Sequence, residues 1–302
     1  MSRPRVLLLF LDGVGIGPDD PLRNPFLRAR LPTLSTLVGG IPTLEEPRPR
    51  TGGAAIVVPL DATLGMEGTP QSGTGQTTLL TGVNAAERFG GHFGPWTPVR
   101  LRPLLEETSL LRRALDGGHE TAFANAYPRS WPGERSARRV AAPPLAARAA
   151  GLLVRHEEAL AAGNAVSSEI VNDGWRRHLG HLHLPVVTAE AAGRTLAAIA
   201  ARHRLTLYAH YATDLAGHRG GMEGAVAALE RVDAFLGGLM EALPDDVVLV
   251  VASDHGNVED VTGGHTRNPV LGLLAGPGAA RRAQELASIQ DVAPALLRWL
   301  EE

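Results

Sequence analysis

Three short apolar runs, each leading into an aspartate, constrain this chain more than any other feature. Residues 6–11 are continuously apolar and end at Asp12. Residues 205–211 run into Asp214, and residues 247–252 close on Ser253, Asp254, His255 and Gly256. A run of about six apolar residues without alternation reads as a strand buried on both faces, the habit of parallel sheets. Between these runs lie stretches with helical spacing, at residues 104–115, 145–162, 189–202, 222–243 and 289–300. Further strands are expected at 54–58, 121–124 and 270–274, and a short helix at 76–81 after a Gly/Thr-rich loop over 65–75. Strands alternating with helices give an α/β fold, with a mostly parallel central sheet between helical layers. In such a sheet ligands sit beyond the carboxyl ends of the strands, where Asp12, Asp214 and Asp254 all fall.

The rest of the sequence narrows the chemistry. At 302 residues, 44% of them hydrophobic, the chain can bury one large core. A single domain over 1–302 is expected, with residues 127–185 as a small cap or insertion. A net charge of -3 gives no basic field for nucleic acid or an anionic membrane. With no cysteine, thiolate nucleophiles, Cys-ligated zinc and disulfides are excluded, which fits a cytoplasmic protein. All 29 basic residues are arginine, so Schiff-base and Walker A lysines are excluded too. The apolar run 6–11 is too short for a secretory h-region, and no stretch reaches the ~20 apolar residues of a membrane span.

The aspartates have histidine companions. Asp214 and His218 form D-x-x-x-H, Asp254 and His255 open D-H-G-N, and His265 lies in H-T-R-N-P. Three carboxylates and three imidazoles make a mixed oxygen/nitrogen donor set, which suits Zn or Mn better than an all-oxygen Mg or Ca site. Two such ions ~3.5–4 Å apart can clamp the attacking and leaving oxygens of a phosphoryl group. Ser72 adds a hydroxyl in a segment rich in Gly and Thr, with Thr74 as the alternative nucleophile. A serine hydroxyl needs a base or a metal to ionise it. No histidine lies near it in sequence, so metal activation is the better account.

Each residue also has an ordinary reading. Asp12 can brace a turn, Ser72 can cap a helix, Asp214 and His218 can be a solvated i,i+4 pair, and His265 can be a surface histidine. Their joint order and strand-end placement favour a shared site. Other features read as ordinary. His178, His181 and His183 suit a polar surface, and Arg129, Arg135, Arg138 and Arg139 a solvated loop that alternatively holds a substrate phosphate. The Gly13, Gly15, Gly17 run lacks dinucleotide-loop spacing.

The combined pattern resembles the alkaline phosphatase superfamily. Ser72 stands in S-x-x-G-Q-x-x-L-L-T-G, an offset that superfamily uses for its nucleophile. D-x-x-x-H, D-H-G-N and H-T-x-N-P follow in the order seen in cofactor-independent phosphoglycerate mutase and phosphopentomutase. The resemblance implies an alkaline-phosphatase-like fold and two divalent metal sites. One would use Asp12, Ser72, Asp254 and His255; the other Asp214, His218 and His265. Ser72 would be phosphorylated transiently. This chain departs from the mutases at Gln76, where they carry histidine, and in having at most residues 127–185 for a cap. The small cap makes a phosphohydrolase of a small phosphate ester the leading expectation. A phosphomutase with the same site, or an inactive metal-binding module, is the alternative.

Overall fold

The computed structural model describes residues 4–48, 53–133 and 138–302. Arg135 of the basic run lies outside them. Six strands are described: β1 (Arg5–Leu11), β2 (Ala55–Leu60), β3 (Thr121–Phe123), β4 (Leu205–His210), β5 (Val247–Ala252) and β6 (Val270–Ala275). They form one sheet in the order β2-β6-β5-β1-β4-β3. β1 lies at the centre, parallel to β4 on one side and β5 on the other, and β3 extends the parallel set. β6 is reversed, antiparallel to both β5 and β2. Proline is tolerated at Pro59 because β2 is the edge strand.

The helices are α1 (Pro32–Val38), α2 (Ser72–Thr81), α3 (Ala85–Phe89), α4 (Arg102–Thr108), α5 (Leu110–Asp116), α6 (Ala142–Ala149), α7 (Glu157–Ala161), α8 (Asp173–Arg177), α9 (Ala189–Ala200), α10 (Ala212–Arg219), α11 (Gly221–Ala242), α12 (Ala279–Ala283) and α13 (Ile289–Glu301). They cover both faces of the sheet. Leu7, Leu9 and Leu11 of β1 enter one core with residues of α1, α9 and α11. Val6, Leu8 and Phe10 enter the other with residues of α2, α5, α6 and α13. A strand packed on both faces has no solvent side, which explains the unbroken apolar run.

Several elements differ from their sequence expectation, each for a local reason. The stretch 104–115 is two helices, because Ser109 adopts an extended conformation (φ −61, ψ 151) and caps α5 by accepting from the N–H of Arg112. The stretch 145–162 is broken after α6 by Gly151 at positive φ, and helix resumes only at Glu157. α2 begins at Ser72, not at Gln76, so the nucleophile candidate opens the helix instead of lying in a loop before it. Glycine and threonine are poor helix formers. Here tertiary burial overrides propensity, for all ten residues of α2 are buried. The threonine hydroxyls turn back onto the helix, Thr77 to the Gly73 carbonyl (2.7 Å) and Thr78 to that of Thr74 (2.9 Å).

Burial of α2 seats it on the end of β5. A Cβ at Gly75 would stand 2.6 Å from the Asp254 carbonyl oxygen, so only glycine lets the two backbones meet. Replacing Gly75 by alanine gains up to about 1 kcal/mol of helix propensity but forces an overpacked contact worth about 1–3 kcal/mol. Gly75→Ala is therefore expected to lower the urea midpoint. An unchanged or raised midpoint would show that α2 is not seated on Asp254.

Candidate metal centre

The parallel alignment of β1, β4 and β5 delivers three loops to one end of the sheet. Asp12 directly follows β1, Asp254 and His255 follow β5, and α10, just past β4, carries Asp214 and His218 one helical turn apart. The Thr213 hydroxyl donates to the Asp12 backbone carbonyl (2.6 Å) and locks the first and third loops together. His265 arrives on the loop before β6. Ser72 arrives at the first turn of α2, where the helix dipole favours an anion.

These seven side chains converge. Asp12, Asp254 and His255 form one group and Asp214, His218 and His265 a second; within each, the donor atoms lie within 4.8 Å of one another. The first group is buried, whereas His218 is exposed and Asp214 and His265 are intermediate. His255 Nε2 stands 2.9 Å from Ser72 Oγ, 3.2 Å from Asp12 Oδ1, 3.6 Å from Asp254 Oδ2 and 3.9 Å from Asp214 Oδ1. The expectation that Ser72 has no histidine beside it is thus corrected. The partner is 183 residues away in sequence and is supplied by the fold.

The hydrogen bonds show how each group is held and what it leaves free. Asp12 Oδ2 accepts from Gln76 Nε2 (3.0 Å), and Asp254 Oδ1 accepts from the Gly13 N–H (3.2 Å). The other oxygens, Asp12 Oδ1 and Asp254 Oδ2, are buried without a hydrogen-bond partner. Burying an unsatisfied carboxylate oxygen is expensive. The histidines show the same division. His255 Nδ1 lies 3.2 Å from the Gly256 carbonyl and His265 Nδ1 lies 3.1 Å from the Pro70 carbonyl. A backbone carbonyl places the proton on Nδ1 and turns Nε2 inward as a lone pair.

In the second group His218 Nε2 and His265 Nε2 are 2.9 Å apart, and each is 3.4 Å from an oxygen of Asp214. Ligand atoms at ~2.0–2.1 Å around a tetrahedral zinc are about 3.3 Å from each other. The spacings of both groups therefore fit a divalent ion. Thiols are absent and the donors are mixed, as Zn or Mn prefers.

Electrostatics agree. Burial, then the charge of Asp254, raises Asp12 well above the usual carboxylate range. Burial raises Asp254 as well. Burial opposes a charge on Asp214 too, but His265, His255 and Asn257 outweigh it and hold the group at about 2. For His255 burial disfavours the cation, yet the carboxylates of Asp254 and Asp12 lift it to about 10. Without an ion, the centre needs a proton to offset its clustered negative charge.

Two supporting residues have roles that sequence did not reveal. Gln76, the departure from the mutase pattern, bridges Asp12 to the Ala142 N–H at the start of α6 (3.2 Å). Asn257 donates through Nδ2 to Asp214 Oδ1 (2.6 Å) and to the Asp214 carbonyl (3.1 Å). Its place in D-H-G-N was the only signal. Thr74 is turned away from the centre, with its hydroxyl accepting from the Phe93 N–H (3.1 Å). His178, His181 and His183 belong to no metal-like grouping among the described residues. Arg129 pairs with Glu158 (2.8 Å), and Arg139 lies over the Trp96 ring (5.2 Å). The segment 127–185 is divided in its packing. α6 belongs to the main core beside α2, whereas Leu160, Trp175 and Leu184 form a small cluster of their own.

Comparison with known proteins agrees with this picture. A family model described as Metalloenzyme superfamily matches residues 183–301, which carry five of the seven residues but neither Asp12 nor Ser72. The 2,3-bisphosphoglycerate-independent phosphoglycerate mutase of Desulforudis audaxviator is 41% identical over 95 residues, covering 29% of this chain and 19% of that protein. An enzyme of the same description from Methanosarcina acetivorans is 41% identical over 96 residues, 29% of this chain and 18% of the relative. The chain thus spans about a fifth of the length of the curated relatives it matches. Among solved structures, the PH0037 protein from Pyrococcus horikoshii superposes with a TM-score of 0.61 at 15% identity, over 100% of this chain and 98% of that one. Alkaline phosphatase from the Antarctic bacterium TAB5 gives 0.51 at 11% identity over 99% of both chains. These likenesses show the fold.

Metal should stabilise the protein measurably. An ion bound only by the folded state adds about 2.7 kcal/mol at a hundred times its Kd, so Zn or Mn is expected to raise Tm and a chelator to lower it. In chelator, the His255 proton stabilises the fold fully below about pH 6.5, its ordinary value, and that contribution is gone once pH has risen through about 10. Thermal melts from pH 6.5 to 10 should therefore fall in chelator and fall less with metal present. Coincident curves would exclude a metal in the His255 group.

Proposed function

We propose that this chain, an alkaline-phosphatase-superfamily protein near the 2,3-bisphosphoglycerate-independent phosphoglycerate mutases, is a two-metal phosphohydrolase that cleaves a small phosphate ester through phosphorylated Ser72. The observation that carries this reading is the half-satisfied state of the site. Asp12 and Asp254 each have one oxygen tied to the protein and one buried oxygen left over, beside a serine at a helix N-terminus.

Asp12, Asp254 and His255 would hold one ion, with Ser72 beside it, and Asp214, His218 and His265 the other. When bound, the ions would favour the ionised form of Ser72 and offset the negative charge of the phosphoryl oxygens. Ser72 Oγ attacks phosphorus; the Oγ–P bond forms as the ester P–O bond breaks, and the departing alcohol takes up a proton. Water then attacks phosphorus from the vacated side, the Oγ–P bond breaks, and phosphate leaves as Ser72 regains its proton. The first turn of α2 holds Oγ in place and contributes its positive dipole end to the transferring group. Gln76 and Asn257 keep Asp12 and Asp214 from turning. A cytoplasmic setting goes with this reading. Among the described residues no helix is long and apolar enough to cross a membrane.

A second reading, transfer of the phosphoryl group back to substrate as a mutase, is favoured by one observation: the relatives matched over 29% of this chain are phosphoglycerate mutases. Product analysis separates the two readings. The hydrolase reading expects phosphate release from an aryl phosphate with Mn or Zn, and free phosphate without isomer from phosphoglycerate or phosphopentose. Isomerisation without phosphate release would favour the mutase. Ser72→Ala should reduce turnover by roughly 10³-fold or more. Undiminished turnover in Ser72→Ala would remove the nucleophile assignment.

A further inference from the structure

We propose that Glu259 is the positioning residue that holds both halves of the metal centre in register, by fastening the loop behind β1 to both ends of the long β5–β6 loop. This inference rests on the two-metal reading. Glu259 is fully buried at 0% exposure and has no ion-pair partner among the described residues. Its environment is instead built from uncharged donors. Oε2 accepts from the Gly15 N–H (2.9 Å) and the Asn257 N–H (2.7 Å). Oε1 accepts from Asn268 Nδ2 (3.2 Å) and from the Thr266 hydroxyl. A carboxylate has about four lone-pair sites, and here donors occupy all of them.

The donors come from three separate places in the chain. Gly15 lies three residues after Asp12, Asn257 two residues after His255, and Thr266 directly after His265. One carboxylate thus joins the loop behind β1 to the two ends of the β5–β6 loop, the end after His255 and the end after His265. The connection reaches further. Asn257, whose N–H is fixed by Glu259, presents its side-chain amide to Asp214 Oδ1 at 2.6 Å. Ligands of both groups are therefore joined to Glu259 within a few bonds.

Steric evidence is independent of the hydrogen bonds. A Cβ at Gly15 or at Gly256 would stand 2.3 Å from Glu259 Oε1. Both positions are thereby closed to side chains while this carboxylate is in place. Removing a carboxyl from water is unfavourable even when its hydrogen bonds are replaced, and an apolar residue would fill the same space without that penalty. What an apolar residue cannot do is orient the β1 loop and both ends of the β5–β6 loop at once. Groups that orient metal ligands from behind typically affect metal affinity about 10–100-fold.

The test uses Glu259→Gln, which keeps the volume but turns one acceptor oxygen into a donor NH2 facing donors. Zn and Mn affinity would be measured by competition with a chromophoric chelator, and the Co(II)-loaded protein by its visible d–d spectrum. The expected result is a metal-free melt that stays cooperative at a lower Tm, because a buried donor now faces donors, together with a fall in affinity of roughly 10–100-fold at both sites and an altered Co(II) spectrum. A lower Tm with unchanged affinity and spectrum would overturn the proposal and leave Glu259 as a fold staple only. If Glu259→Gln does not fold, Thr266→Val removes one donor and leaves the carboxylate. It should weaken metal binding several-fold, and unchanged binding there would likewise overturn the proposal. If the unsubstituted protein takes up no metal, the two-metal reading itself fails, and the role of Glu259 with it.

Discussion

The structure is organised around an electrostatic problem. Asp12, Asp254 and Asp214 are brought together at the carboxyl ends of neighbouring strands, and His255 Nε2 lies within 3.9 Å of an oxygen of each. Charges a few ångströms apart in a low-dielectric interior repel by several kcal/mol even at an effective dielectric of about 20. The protein's own hydrogen bonds go to the outer oxygens, and Asp12 Oδ1 and Asp254 Oδ2, facing inward, have only His255 Nε2 beside them. A proton on His255 answers part of it, and a pair of divalent cations answers it more fully. The rest of the fold serves to make this unfavourable meeting unavoidable. The central position of β1 puts Asp12 between the other two aspartates, and α2 is buried on all sides so that Ser72 cannot retreat.

How much of this was legible in the sequence follows from what kind of interaction made each element. Buried strands declare themselves because both faces must be apolar, so 6–11, 205–211 and 247–252 could be read directly, and their closing aspartates with them. Strand direction leaves no such mark. The reversal of β6 has the same apolar signature as a parallel strand. The start of α2 was hidden for the opposite reason. Its Gly/Thr composition opposes helix, and only burial against β5 and α13 makes it helical. The proximity of Ser72 to His255 depends on two elements 183 residues apart, which no local pattern encodes. Glu259 was passed over because a glutamate two residues beyond a D-H-G-N motif carries no periodicity. It is found only by asking where the donors of the β1 loop and the β5–β6 loop go.

The matched family region and the rest of the chain divide along the same line as the chemistry. Residues 183–301 bring β4, α10, β5 and the His265 loop, hence five of the seven converging side chains. Asp12 and Ser72 come from outside that stretch. They are nevertheless bound to it by specific contacts: Thr213 to the Asp12 carbonyl, Gly13 to Asp254, Gly15 to Glu259 and Gly75 against the Asp254 backbone. The N-terminal elements therefore dock onto the C-terminal half through the residues that hold the centre.

The coupling extends outward. Asp12, Asp254 and Asp214 are held by hydrogen bonds from Gln76, Gly13 and Asn257. Residues 127–185, by contrast, are divided between the main core and a small cluster around Trp175. α6 belongs to the main core. Its first N–H binds Gln76, which in turn binds Asp12. Where the mutases carry a histidine, an uncharged amide here reads the position of α6 on one side and restrains a ligand carboxylate on the other. A shift of α6 on substrate binding would reach Asp12 through a single side chain. Gln76 therefore ties the placement of α6 to the placement of Asp12.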